Sequence, residues 1–186
     1  TCTVTFPMIT STITLSAGST GTVSAPSSKT INYNEDAVFT VTPNTGYENV
    51  LETNTCGGTL SGNTYTIANV KENKTCTITF KKITYNIKLN VSNGVGGTSK
   101  TVTYGTDASF TNVSPSTGYT ATGATLTCDG GATASISGTT VTVSKITKSQ
   151  TCSLTFPIIT NTVTLSAGST GTVSAPVSKV INYNEN

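Results

Sequence analysis

The chain has no His, no Trp, no Arg and a single Met, and only 10% of its 186 residues are charged. Without His there is no imidazole to act as a base or shuttle near neutral pH. Without Arg there is no planar fork for phosphates or guanine edges. Ten scattered Lys against eight acids leave a net charge of +2 and no basic patch, so nucleic acid is not an expected partner. No apolar run approaches the ~18 residues that span a bilayer, and no positively charged start leads into an apolar stretch. No nucleophile elbow or phosphate loop is present. The expectation is therefore no enzyme, no cofactor, no metal and no membrane span in these residues.

What is abundant is Thr and Ser, about a third of the chain, a composition of strands with a neutral polar surface. The chain also repeats itself. Residues 1–36 return at 151–186 with 28 of 36 positions identical and a constant offset of 150. A shorter period lies inside: Thr1-Cys2-Thr3-Val4-Thr5-Phe6 matches Thr75-Cys76-Thr77-Ile78-Thr79-Phe80 and Thr151-Cys152-Ser153-Leu154-Thr155-Phe156. Tyr33 and Tyr104, Phe39 and Phe110, Pro43 and Pro115, Gly46-Tyr47 and Gly118-Tyr119, and Cys56 and Cys128 keep step with it. Each unit is one small domain. The expected division is 1–10, the last strand of a preceding repeat; 11–83, repeat A; 84–158, a diverged repeat B; and 159–186, the first strands of a further A. The array runs A-B-A-B.

Strict alternation predicts strands at 12–15, 38–42, 64–67 and 75–80, and in repeat B at 86–89, 101–104, 139–143 and 151–156. Gly and Asn clusters at 18–21, 61–63 and 93–97 supply turns. Repeat B gains one residue near Asn112, which reads as a bulge. No stretch has a helical period. The fold class is all-β: tandem small antiparallel domains of sandwich or β-grasp type, with one disulfide each. The expected core of repeat A is Ile13, Leu15, Val23, Ile31, Tyr33, Phe39, Val41, Tyr47, Tyr65, Ile67, Val70, Ile78 and Phe80.

A domain of this size buries only ~60% of its unfolded surface and needs a staple. Cysteine register pairs Cys56 with Cys76 and Cys128 with Cys152. Cys2 matches the second member of such a pair, so its partner is expected upstream of residue 1. Two thiols per unit and no His do not make a zinc site. Repeated disulfides imply an oxidising, extracellular compartment.

The run Ile31-Asn32-Tyr33-Asn34-Glu35-Asp36-Ala37-Val38-Phe39-Thr40-Val41-Thr42-Pro43-Asn44-Thr45-Gly46-Tyr47, followed by 63–70 and 74–80, resembles the divergent internalin-type B-repeat modules of bacterial surface proteins. Its most specific part is Phe-Thr-Val-Thr-Pro-Asn-x-Gly-Tyr, which repeat B keeps as Val113-Ser114-Pro115-Ser116-Thr117-Gly118-Tyr119. The resemblance implies secreted or surface-attached β modules strung in series, with a spacer or adhesive role.

Lesser motifs have plain structural readings. Glu35, Asp36, Asp107 and Asp129 are oxygen donors of the kind calcium takes, but isolated turn acids are usually solvated. Asn73, Asn90 and Asn112 open glycosylation patterns that chance supplies in so Thr- and Ser-rich a chain. The Thr-x-Thr arrays suggest ordered water and equally suit exposed strand faces. Lys-to-Asn isopeptide bonds need an adjacent acid in a dry core, which sequence does not locate. The leading expectation is a structural segment of an extracellular stalk, fibre or filament, its partners being neighbouring repeats and copies of itself. The second is a binding module whose turns, Gly57-Gly58 and Asp129-Gly130-Gly131, meet a glycan or host protein.

Overall fold

Thr alternating with branched and aromatic residues gives each strand one wet and one dry face. In β1 (Thr10–Ser16), Ser11, Ile13 and Leu15 are buried while Thr10, Thr12 and Thr14 face out. The computed structural model describes residues 1–174 and 177–185. Its elements are strands, and no helix occurs among the described residues. The chain divides into two compact units, Thr1–Ile83 and Thr84–Asn186.

In the first unit, β1 is followed by β2 (Gly21–Val23), β3 (Ser28–Asn32), β4 (Ala37–Pro43), β5 (Tyr47–Asn54), β6 (Thr59–Ser61), β7 (Thr64–Ile67) and β8 (Lys74–Lys82). They form two four-stranded sheets, ordered β3-β1-β8-β5 and β2-β4-β7-β6. One core joins the sheets: Ile13 and Leu15 from β1 and Ile78 and Phe80 from β8 share it with Phe39 and Val41 from β4 and Tyr65 and Ile67 from β7. Two four-stranded layers over one core, one of them with a parallel central pair of first and last strands, fit the expected class of small sandwich or β-grasp-like domains. Most pairings are antiparallel, but β1 and β8 run parallel, with Leu15 opposite Cys76. Parallel neighbours require a long crossover, and here β2 to β7 serve as that crossover. Because its first and last strands point the same way, the repeat's chain leaves at the end of the sheet opposite to where it entered.

The second unit contains β9 (Thr84–Ser92), β10 (Gly94–Val95), β11 (Ser99–Thr103), β12 (Ala108–Phe110), β13 (Ser114–Pro115), β14 (Thr125–Cys128), β15 (Ala134–Ser137), β16 (Thr140–Val143) and β17 (Gln150–Thr155). Sheet β11-β9-β17-β14 repeats the first sheet of repeat A, including a parallel pair with Leu89 opposite Cys152. The opposite layer is broken into β12-β16-β15 and a two-stranded β10-β13. The unit also holds the hairpin of β18 (Thr160–Thr164) and β19 (Ser178–Asn182), which pairs Thr160 with Asn182 as β1 and β3 pair Thr10 with Asn32. Asn186, the counterpart of Asp36, lies outside the described residues, as do 175 and 176.

Several sequence expectations change. Tyr33 is exposed rather than part of the core, because it follows the end of β3 on a turn where Asn34 takes φ 70°. Val23, Ile31 and Tyr47 pack against the core only in part, whereas Ala17, Ala37 and Cys76 are fully inside it. The extra residue near Asn112 makes no bulge: Asn112 at φ 60° separates β12 from β13, where repeat A has the unbroken β4. The register shifts fall instead in β5, around Leu51. Residues 94 and 95, inside an expected turn, form β10. Residues 1–6 form no strand: β17, their counterpart, is held between β9 and β14, and residues 1–6 have no such neighbours among the described residues.

Candidate functional site

Two features of each repeat bear on what it can do: its disulfide and its Gly-Tyr turn. Cys76 lies on the dry face of β8 and is bonded to Cys56, in the turn after β5, with Cα atoms 5.5 Å apart at a sequence separation of 20. Cys128 on β14 and Cys152 on β17 stand directly opposite one another and are bonded, Cα to Cα 4.0 Å, at a separation of 24. Each bond ties the repeat's last strand to the edge strand beside it, in repeat A through the turn that follows that strand. Loops of this length stabilise the folded state by about 3 kcal/mol in the chain-entropy account. Cys2 is exposed and outside any disulfide.

The Pro-x-x-Gly-Tyr block begins as a strand that ends at Pro43 and reverses through Gly46 at φ 90°. Its function in the fold is to hold the exit of the chain. The Gly46 carbonyl accepts the N–H of Ile83 at 2.9 Å, and Tyr47 pairs with Lys82. Repeat B does the same: Gly118 accepts the N–H of Ile159 at 2.8 Å, and Tyr119 bridges to Ile158. The Ile positions that complete this arrangement are not evident from the sequence, since nothing in the period marks them as partners of a glycine 37 or 41 residues earlier.

The turn acids are caps. Asp36 accepts the Asn69 N–H at 2.9 Å and Asp107 the Lys145 N–H at 2.8 Å; both donors have left-handed backbone, φ 52° and 53°. Asp129 accepts the Thr151 N–H at 2.8 Å, and Glu35 accepts from the Asn32 amide at 3.0 Å. Charged acceptors on backbone N–H groups make strong local bonds. Among the described residues no three acids, His or Cys gather into a metal-sized cluster. Asn73 is similarly employed, accepting the Thr12 N–H at 2.7 Å. Lys29 and Lys100 lie over the rings of Phe39 and Phe110 and donate to the carbonyls of Val38 and Ser109, not to an Asn side chain.

Behind the two glycine turns sit buried polar side chains. In repeat A the Tyr65 hydroxyl donates to Asn54 Oδ1 at 2.5 Å and accepts the Gly58 N–H at 3.2 Å. Burial pushes this phenol above its usual pKa of 10.0, with a smaller lowering from the Gly58 amide. In repeat B the buried Gln150 accepts the Ala132 N–H at 3.4 Å, beside a polar cavity of about 220 Å³ whose lining includes Gly130, Gly131, Lys145 and Lys148. Gln150 escaped the sequence reading because it stands one residue ahead of the period's first Thr and has no matching polar residue in the expected core. The Thr faces are exposed, as on Thr75 and Thr77, with Cys76 buried between them.

No curated protein and no solved structure matches the chain. Modules of the internalin B-repeat kind occur in surface proteins, and the disulfides suit an extracellular setting. Residues 11–84, which run from β1 to the first residue of β9 and include the first disulfide and the Gly46 turn, match the family model of the divergent InlB B-repeat domain, so repeat A is a module of that type.

Proposed function

We propose that the chain is a structural segment of an extracellular stalk or fibre on a bacterial surface, built to hold distance rather than to perform chemistry. The observation that carries this reading is the parallel pairing of the first and last strands in both repeats, β1 with β8 and β9 with β17. A module whose chain enters at one end and leaves at the other adds length with each copy, about 30 Å for a nine-residue strand such as β8. The disulfide ties that last strand covalently to the neighbour on its other side, so one member of the pair is anchored to the rest of its sheet. A Thr-covered surface of low charge offers little repulsion between neighbouring fibres, which supports lateral self-association.

The test is small-angle scattering on chains carrying one, two and three 150-residue periods. The maximum dimension is expected to rise by a constant increment per period. A dimension that grows only as a compact particle would overturn the reading.

The second reading, a multivalent adhesive module, draws support from the cavity beside Gly130 and Gly131, where Lys145 and Lys148 could meet an acidic glycan. Binding on a glycan array that is lost in the Lys145→Ala, Lys148→Ala double variant would favour it over the spacer.

A further inference from the structure

The Gly118 turn carries a contact that its role as a chain exit does not require. Gly118 has φ 86°, and a Cβ added to it would stand 2.7, 3.3 and 3.4 Å from Cδ1, Cε1 and Cγ of Tyr183. The Tyr183 ring thus lies against bare glycine backbone, where any side chain would collide. Hydrogen bonds continue the connection: the Ile159 N–H donates to Gly118, and the Tyr183 N–H donates to Ile159 at 2.9 Å. Tyr183 belongs to the hairpin that begins the next repeat A, so the contact joins repeat B to its successor.

The same tyrosine occurs 150 residues earlier, on the same local frame. The Tyr33 N–H donates to Ile9 at 2.9 Å, β1 and β3 keep the register of β18 and β19, and Asn34 and Asn184 share left-handed backbone at φ 70° and 60°. Glu35 and Glu185 both close the turn onto the residue-32 and residue-182 carbonyls, at 3.1 and 3.0 Å. What differs is cover. Tyr33 is 51% exposed and Met8 71%, against 39% for both Tyr183 and Ile158.

We propose that Tyr33, with Met8 and Ile9, is a docking surface whose partner is the Ser116–Tyr119 turn of a repeat B preceding it in a longer array. A tyrosine seated on glycine would then fix the join at every B-to-A junction. The chemistry suits this: the ring stands against the glycine Cα where no Cβ obstructs it, and the paired hydrogen bonds set its position. The proposal rests on the reading of the repeats as serial spacers and supplies the contact that sets their stiffness.

The test uses the full chain and a version with residues 1–150 placed ahead of residue 1, both labelled at glycine for NMR. A ring at this distance moves the Gly118 α-protons away from ordinary glycine shifts. In the 186-residue chain the shift is expected to vanish in Tyr183→Ala, survive in Tyr183→Phe and ignore Tyr33→Ala. In the extended chain the added Gly118 is expected to show the same shift, abolished by Tyr33→Ala in the copy that follows it and retained by Tyr33→Phe. An added Gly118 with ordinary shifts, or one indifferent to loss of that tyrosine, overturns the proposal. Scattering of the same samples separates the two claims: constant length increments without the shift leave the spacer and remove the contact, whereas the shift without increments leaves the contact and removes the spacer.

Discussion

Repeats A and B fill the same space from different directions. In A, the room behind the Gly57-Gly58 turn is taken by Tyr65, which reaches it from β7; a Cβ on Gly58 would come within 2.6 Å of that ring. In B, the residue opposite Phe110 is Val141, as Tyr65 is opposite Phe39, and a valine is too short to reach. Gln150 fills the room instead, from β17 in the other sheet, lying 2.3 Å from where a Gly130 Cβ would stand. Protein interiors demand filled volume and satisfied polar groups more than they demand a given residue. Duplicated domains can diverge by moving that duty to a different strand; repeat B also has its second layer split at Asn112 and fewer fully buried aromatic rings.

The largest expected effect comes from emptying the Tyr65 site. Tyr65→Ala should destabilise repeat A by about 3–5 kcal/mol, the range for loss of a fully buried aromatic ring, while Val141→Ala should cost repeat B less because fewer atoms leave. Separate denaturation of the two units, followed by hydrogen exchange at β7 and β16, measures both. Equal losses would mean that Tyr65 is not the keystone the comparison makes it.

Next are the disulfides. Replacing Cys56 and Cys76 together by Ala should lower the stability of A by about 3 kcal/mol, and replacing Cys128 and Cys152 should lower that of B by about the same amount, since loop separations of 20 and 24 differ little in closure entropy. A much larger loss in B would show that its split layer leaves it leaning harder on the covalent tie.

The smallest effect distinguishes the repeats by pH. Burial raises the folded pKa of Tyr65 above its unfolded value near 10. A neutral acid held neutral by the fold contributes stability that is whole below about pH 10 and is lost as pH rises towards the folded pKa. Repeat A should therefore weaken above about pH 10 in a way that Tyr65→Phe removes. No hydroxyl stands at Val141, so repeat B lacks this contribution, and an alkaline transition unaffected by Tyr65→Phe would assign the effect elsewhere.

Much of the fold was legible because Thr and apolar residues alternate so regularly. Strands β1, β4, β7 and β8, and in repeat B β9, β11, β16 and β17, follow from that period, as does the burial of Ile13, Phe39, Ile78 and Phe80; β12, the counterpart of β4, does not. Strand β5 was not legible, because Tyr47-Glu48-Asn49-Val50-Leu51 breaks the alternation with the same shifts that disturb its pairing to β8. Tyr33 misled because aromatic residues near a strand end read as core, yet one residue past β3 the side chain is no longer set by the pleat. Of the candidate site, the glycine turn was visible as a motif; that its carbonyl holds Ile83 or Ile159 was not, since such a bond joins residues far apart in sequence.

The sequence by itself determined the repeat, the all-β class, the polar Thr face and which cysteines share a register, since each depends on local periodicity or on copies that can be laid side by side. Tertiary structure alone decided that the first and last strands run parallel, that Gln150 replaces Tyr65 as the buried plug, and that Tyr183 rests on Gly118. Those depend on which distant strands become neighbours, and close packing settles that only when the whole chain has folded.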